Sequence, residues 1–219
     1  RRKAEEMIAE GKVKVNGEIA HIGQRITPGK DTVEFEGRSI GAAQQLKYFL
    51  VYKPRGVIST TSDELGRKSV IDLVPKQTER IFPVGRLDAD SEGMIILTND
   101  GELAHRLTHP SFKVEKTYVV TPDRRLSELA LDHLKRGVKL KDGWAKPITA
   151  DEVADTDDGS LSITLAEGRS HEIRRMLRRV GYEVERLIRV KIGGLSIEVL
   201  GDEQWIELSA EQIKKLTEQ

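Results

Sequence analysis

No cysteine occurs among the 219 residues, which excludes disulfides, iron–sulfur clusters and the usual thiolate zinc sites. Aromatic side chains are scarce, at 5% with only two tryptophans. No apolar run approaches the ~18 residues of a membrane span and no secretory signal opens the chain, so a soluble cytoplasmic protein is expected. Charge of one sign is missing as well. The 36 basic and 36 acidic residues cancel, and bulk charge therefore indicates no polyanionic partner. There is no phosphate-binding loop and no dinucleotide fingerprint. The five histidines show no metal-ligand spacing, so no metal is expected.

The distribution of charge says more than its sum. From Glu167 to Lys191, eight basic residues (Arg169, Arg174, Arg175, Arg178, Arg179, Arg186, Arg189, Lys191) face four acidic ones (Glu167, Glu172, Glu183, Glu185). A local basic face on a neutral protein suits a nucleic-acid surface, although a solvated helix face gives the same count. Within it Ile173, Met176, Leu177 and Val180 recur at helical spacing, predicting a helix over His171–Val180 with a buried apolar stripe. Arg174 adjoins that stripe, whereas Arg175 and Arg179 fall toward solvent.

The chain is long enough for a large and a small domain. At the start, Arg2–Glu10 reads as a short helix ending at Gly11, followed by strands Val13–Val15 and Val33–Phe35 around turns at Asn16-Gly17 and Pro28-Gly29. Residues 41–45 lack periodicity and make a linker. Beyond it the predicted strands are Tyr48–Tyr52, Met94–Leu97, Lys116–Thr121, Leu161–Leu165, Val184–Val190, Leu195–Val199 and Trp205–Leu208. Helices are predicted over Glu102–Leu107, Glu128–Arg136, His171–Val180 and Ala210–Leu216, the last opened by a capping box at Ser209. Strands outnumber helices and do not alternate regularly with them. The class is therefore α+β with a mainly antiparallel sheet. No internal repeat is visible.

The most informative stretch is Gly85-Arg86-Leu87-Asp88-Ala89-Asp90-Ser91-Glu92-Gly93, running through a turn at Ser91–Gly93 into the apolar strand Met94–Leu97 and closing on Asn99-Asp100-Gly101. An acidic side chain in a short loop beside a buried strand is one reactive carboxylate on a rigid support. Two other readings fit less well. A calcium-binding EF-hand loop needs a bidentate acid where Asn99 stands, and Met94–Leu97 reads as strand. A glycosidase pair needs carboxylates across a cleft, whereas Asp88 and Asp90 share one loop; Asp90 is expected to stabilise the turn.

This stretch resembles the catalytic signature of the pseudouridine synthases of the RsuA/RluB/RluF branch. Glu167-Gly168 through Ile173-Arg174-Arg175-Met176 is similar to that family's third motif, and Lys116-Thr117-Tyr118 to its K-x-Y motif. The first residues, with Val13–Gly17 and Pro28–Asp31, resemble the alpha-L RNA-binding module, or S-four domain, lacking the helix that precedes it in relatives. The resemblance implies an RNA-binding module over residues 1–42 and a catalytic domain over 46–219, with a bent sheet, flanking helices and a central cleft. It implies that Asp88 is catalytic, that Arg174 pairs with it, and that Tyr118 stacks beneath the target uracil. Lys116, placed to meet phosphate, and Arg86, Arg175, Arg178 and Arg179 would contact RNA, as would Arg2, Lys3, Lys12 and Lys14 of the module. Arg86 has an internal salt bridge as an alternative, and His171 faces either RNA or the core.

Turning uridine into pseudouridine breaks a glycosidic bond, turns the uracil over and rejoins it through carbon 5. It changes no oxidation state and loses no atom, so no cofactor is required. The expected partner is ribosomal RNA or a pre-ribosomal particle bound by a monomer. His109-Pro110-Ser111 and Ile173–Met176 favour the large-subunit RNA over the small-subunit one. A non-catalytic RNA-binding or ribosome-assembly protein is the alternative, disfavoured by Asp88, Tyr118 and Arg174 together.

Overall fold

The computed structural model describes residues 2–27, 30–40, 45–61, 63, 65–154 and 156–218. The turn expected at Pro28-Gly29 and all of the expected linker but Gln45 lie outside these. The chain divides into two compact units, residues 1–45 and 46–219.

In the first unit, helix α1 (Arg2–Ala9) precedes strands β1 (Val13–Val15), β2 (Glu18–Ile19), β3 (Val33–Phe35) and β4 (Arg38–Ser39). They pair antiparallel in the order β2-β1-β3-β4. The hairpin between β1 and β2 turns on Asn16-Gly17, whose φ values of 52° and 86° suit a two-residue turn matching the strand twist.

The second unit contains β5 (Tyr48–Lys53), β6 (Phe82–Val84), β7 (Glu92–Thr98), α2 (Gly101–Thr108), β8 (Lys116–Pro122), α3 (Glu128–Arg136), β9 (Val138–Leu140), β10 (Gly143–Ala145), β11 (Thr149–Glu152), β12 (Leu161–Leu165), α4 (Glu172–Arg179), β13 (Val184–Ile192), β14 (Leu195–Ser196), β15 (Trp205–Glu207) and α5 (Ala210–Lys215). Its main sheet has nine strands, ordered β11-β12-β8-β13-β7-β5-β15, with β14 beside β13 and β6 beside β7. Every pairing is antiparallel except that of β13 with β7. The fold is α+β, as the order of elements implies.

Strand β7 explains why the run Met94–Leu97 is apolar without alternation. Every residue of it is buried, because both faces of the sheet are covered there. Met94 and Ile96 pack with Leu103 and Leu107 of α2 and with Leu216, while Ile95 and Leu97 pack with Phe49, Val70 and Ile81. A separate cluster joins Leu134 of α3 and Met176 and Leu177 of α4 to Val120, Leu161 and Ile163. Helix α4 is thus pressed against the sheet by the stripe its spacing predicts.

Two local expectations change. The turn expected at Ser91–Gly93 falls instead at Ala89-Asp90, and Glu92 already belongs to β7. Arg186 and Tyr52 bind the Glu92 carboxylate, which lets an acid sit inside the sheet. The strand expected over Leu195–Val199 stops at Ser196, whose Oγ accepts from the Glu198 amide and starts a 3₁₀ turn. Strands β6, β9, β10 and β11 are too short to show a period in the sequence. Among the described residues, no helix is long and apolar enough to cross a membrane.

Candidate active site

Asp88 lies in the loop between β6 and β7, and that loop is tied down along its length. Ser59 Oγ donates to the Leu87 carbonyl at 2.8 Å and accepts from the Leu87 amide at 3.1 Å. The Gly56 amide donates to Ala89 O at 2.7 Å, and the Ser91 amide to Asp88 O at 3.0 Å. Below it lies Lys53, whose side chain is fully buried and whose Nζ donates to Ser91 O at 2.7 Å and Pro54 O at 3.0 Å. Burial brings the Lys53 ammonium down to about 8, against the opposing pull of Asp90, Asp88 and Glu92. A cation under the loop thus takes up carbonyls that would otherwise be buried bare.

Close approach of β7 and β13 completes the floor. Gly93 has φ +104°, and a Cβ there would lie 2.6 Å from Arg189 N. Only glycine fits.

Helix α4 brings the opposite wall. Its N-cap, His171, has φ 49°, a left-handed backbone uncommon for a residue with a Cβ. From there His171 Nδ1 stands 3.1 Å from Asp88 Oδ2. Arg174, one turn into the helix, reaches the Ala89-Asp90 turn: Nη2 lies 3.0 Å from Asp90 Oδ2 and donates to Asp90 O at 3.2 Å, while Nη1 donates to Val184 O at 2.9 Å. The expected Arg174–Asp88 pair is therefore corrected. Arg174 holds the neighbouring Asp90, and His171 takes the place beside Asp88. Asp90 stabilises the turn as expected, but through an arginine on another element.

Between these walls is a cavity of about 360 Å³, lined on its polar side by Arg86, Asp88, Ser91, Arg169, Ser170 and His171, and on its apolar side by Leu87, Tyr118, Leu165, Ile173 and Leu187. Its size suits a small ring system. Tyr118, 8% exposed, is held in β8 opposite Ile163 and Arg189 of the flanking strands. A carboxylate backed by an imidazole, facing an aromatic ring across an apolar slot, can act on a flat heterocycle or its sugar.

The sequence comparisons decide between such chemistries. Residues 47–179 match the family model for RNA pseudouridylate synthase, and residues 1–32 that of the S4 domain. The chain belongs to the RNA pseudouridylate synthase family. It is 40% identical to ribosomal large subunit pseudouridine synthase B of Bacillus subtilis, over 99% of this chain and 89% of that one. It is 39% identical to an uncharacterized RNA pseudouridine synthase of Aquifex aeolicus, over 99% and 88%. Among solved structures, a pseudouridylate synthase superposes with a TM-score of 0.72 at 30% identity, covering 98% of this chain and 93% of the other.

Within this pseudouridylate synthase fold the expected site residues separate. Asp88, Tyr118 and Arg86 line one cavity, with Arg86 exposed and in no ion pair among the described residues. Lys116 is half-buried and donates to Val114 O at 2.8 Å. Arg175, expected to face solvent, is half-buried and binds Asp142 through both terminal nitrogens, at 2.8 and 3.0 Å. Asp142, in the hairpin turn between β9 and β10, supplies the counter-charge that helix spacing cannot reveal. Arg178 is exposed but paired with Glu183 at 2.8 Å, and Arg179 is exposed with no ion pair among the described residues. In the first unit Lys3 and Lys14 are exposed, Lys12 pairs with Glu10 at 2.7 Å, and the side chain of Arg2 lies outside the described part.

Sequence reasoning overlooked Lys53 and Ser59, and read Arg189 only as one member of the basic run from Glu167 to Lys191. The available signal for Lys53 was a lysine closing an otherwise apolar strand and followed by Pro54. Ser59 gave none, since its importance lies in what the fold sets beside it.

Proposed function

We propose that this protein converts a uridine of ribosomal RNA, in the large subunit, to pseudouridine. The observation that carries the reading is Asp88 on its pinned loop, facing Tyr118 across a cavity of about 360 Å³ in a family that performs this isomerisation. The name of the Bacillus subtilis relative supports the large-subunit target. In this reading the uridine is flipped out of its stack, and its base enters the slot against Tyr118. Base–aromatic stacking is worth about 1–3 kcal/mol, comparable with the few kcal/mol that extrusion costs.

Asp88 then acts at the ribose, either by attack on C1′ or as a base removing the C2′ proton. The N1–C1′ bond breaks, the uracil turns within the slot, and C5 bonds to C1′ as the Asp88–C1′ bond breaks or, in the second course, as C2′ takes its proton back from Asp88. Loss of the C5 proton and gain of one at N1 completes the isomerisation, so atoms and electrons balance without an added reactant. His171 and the Arg174–Asp90 pair hold the carboxylate and its loop in place. Arg86, Arg178 and Arg179 contact the RNA, and the first unit is a second RNA-binding element. The protein acts as a cytoplasmic monomer on rRNA or an assembling particle.

Pseudouridine mapping of ribosomal RNA from cells with and without the gene tests this. One large-subunit position should disappear, and should return with the wild-type gene but not with Asp88→Asn. Loss of a small-subunit position would reassign the target. Restoration by Asp88→Asn, with reversion to Asp excluded, would leave a binding or assembly protein.

A further inference from the structure

A second cavity, of about 220 Å³, adjoins the first, and Arg86 and Tyr118 line both. Besides Arg86 and the Glu167-bound Arg169, two cations, Lys116 and Arg189, lie on its wall. Neither forms an ion pair among the described residues. The one acidic residue lining the cavity, Glu167, is already bound by Arg169 at 2.7 Å.

Arg189 is 3% exposed. Its Nε donates to Met94 O at 2.7 Å, which is enough to tie β13 to β7. Its Nη2, however, is buried with no hydrogen-bond partner among the described residues. Other arginines around the site, Arg169, Arg174 and Arg186, each find a carboxylate. Lys116 uses one of its three donors, on Val114 O. Burial, with the Arg189 charge adding to it, brings the Lys116 ammonium down to about 8, as befits a cation without a counter-ion. A buried guanidinium and a half-buried ammonium lining one cavity, both with spare donors, form a site short of one anion.

Taking the protein as an RNA pseudouridylate synthase, we propose that Lys116 and Arg189 form a subsite for a phosphodiester of the substrate RNA, adjacent to the flipped uridine. The inference rests on the functional reading above. A nucleotide rotated into the first cavity carries its flanking phosphates to the rim, and the second cavity opens on the same residues. A phosphodiester brings a full charge and acceptors in several directions, which match a guanidinium edge and an ammonium. The detached uracil anion is the other negative species. Its charge is spread over a flat ring, and the apolar slot beside Tyr118 is the better place for it.

The test uses the ribosomal RNA hairpin that the wild-type protein modifies, synthesised with a neutral methylphosphonate at each linkage around the target uridine in turn. Wild type and Lys116→Met are compared, with unfolding curves confirming that the variant is folded. One linkage, when neutralised, should weaken wild-type binding about tenfold. Lys116→Met should bind the unmodified hairpin correspondingly less tightly, and neutralising that same linkage should cost it little more. Arg189→Lys, which keeps the charge, should retain part of the linkage effect. Equal sensitivity of wild type and Lys116→Met to every linkage overturns the subsite. So does a Lys116→Met defect confined to the rate at saturating RNA, which would put the charge to work on the detached base. Pseudouridine formed by the wild type in this hairpin reports on the function itself, separately from either result.

Discussion

Arg174 holds Asp90 by both its carboxylate and its carbonyl, at 3.0 and 3.2 Å, and leaves Asp88 to His171. The arginine therefore fixes the turn that follows Asp88 and does not neutralise the Asp88 carboxylate directly. Arg174→Ala should cost about 2 kcal/mol of stability, the scale of charge-assisted bonds lost inside a protein, and should lower the rate at saturating RNA. Asp90→Asn keeps the carbonyl contacts and should be milder on both counts, while Asp88→Asn should abolish turnover with RNA binding intact. Urea unfolding and single-turnover assays decide it. Inactivity of Asp90→Asn with activity in Asp88→Asn would exchange the two roles.

The approach of β7 to β13 at Gly93 is a separate point of vulnerability. A Cβ there would overlap the Arg189 backbone, and φ is +104°. Gly93→Ala should lose at least about 3 kcal/mol, combining overpacking with backbone strain. Gly181, at φ +93° with open space around it, is the control. Gly181→Ala bears only the strain and should lose about 1 kcal/mol. Similar losses at both would mean that the strands can part.

Lys53 should give the protein an alkaline stability signature. Its ammonium titrates near 8 in the fold and near 10.5 when unfolded, because burial outweighs the attraction of Asp90, Asp88 and Glu92, while the Arg189 charge also lowers it. Between those values the unfolded chain holds a proton that the folded one has lost, so this group makes stability rise with pH across the window. Lys53→Met should be less stable throughout, having lost the bonds to the loop carbonyls, and its stability should rise less between pH 8 and 10.5. Lys116 contributes a rise over the same window and remains in the variant. Parallel stability–pH curves for the two proteins would show that Lys53 titrates normally.

Deleting residues 1–42 should remove a tethered binding site and little else. Eight basic side chains there (Arg1, Arg2, Lys3, Lys12, Lys14, Arg25, Lys30, Arg38) accompany no residue proposed for the chemistry. Binding to the target RNA should weaken and lose part of its salt dependence, with the single-turnover rate at saturating enzyme unchanged. Collapse of that rate in a folded catalytic unit would mean that the module shapes the active site or the bound RNA.

The class of fold, the two-part order and the candidacy of Asp88 as the reactive carboxylate were legible in the chain alone. These rest on local information: the helical spacing of Ile173, Met176 and Leu177, the unbroken apolar run of Met94–Leu97, and contiguous motifs around Asp88, Tyr118 and Arg174. Partners were another matter. The motifs set Asp88 and Arg174 in one site, but which acid the guanidinium meets depends on where one turn of α4 stands relative to the Ala89-Asp90 turn. Arg175 reads as solvent-facing until the β9–β10 hairpin folds over with Asp142. Lys53 and Arg189 look like ordinary strand cations, and only the layers packed on both faces of the sheet remove them from water. Burial and counter-charge are properties of neighbours far apart in the chain, so tertiary structure alone decides them.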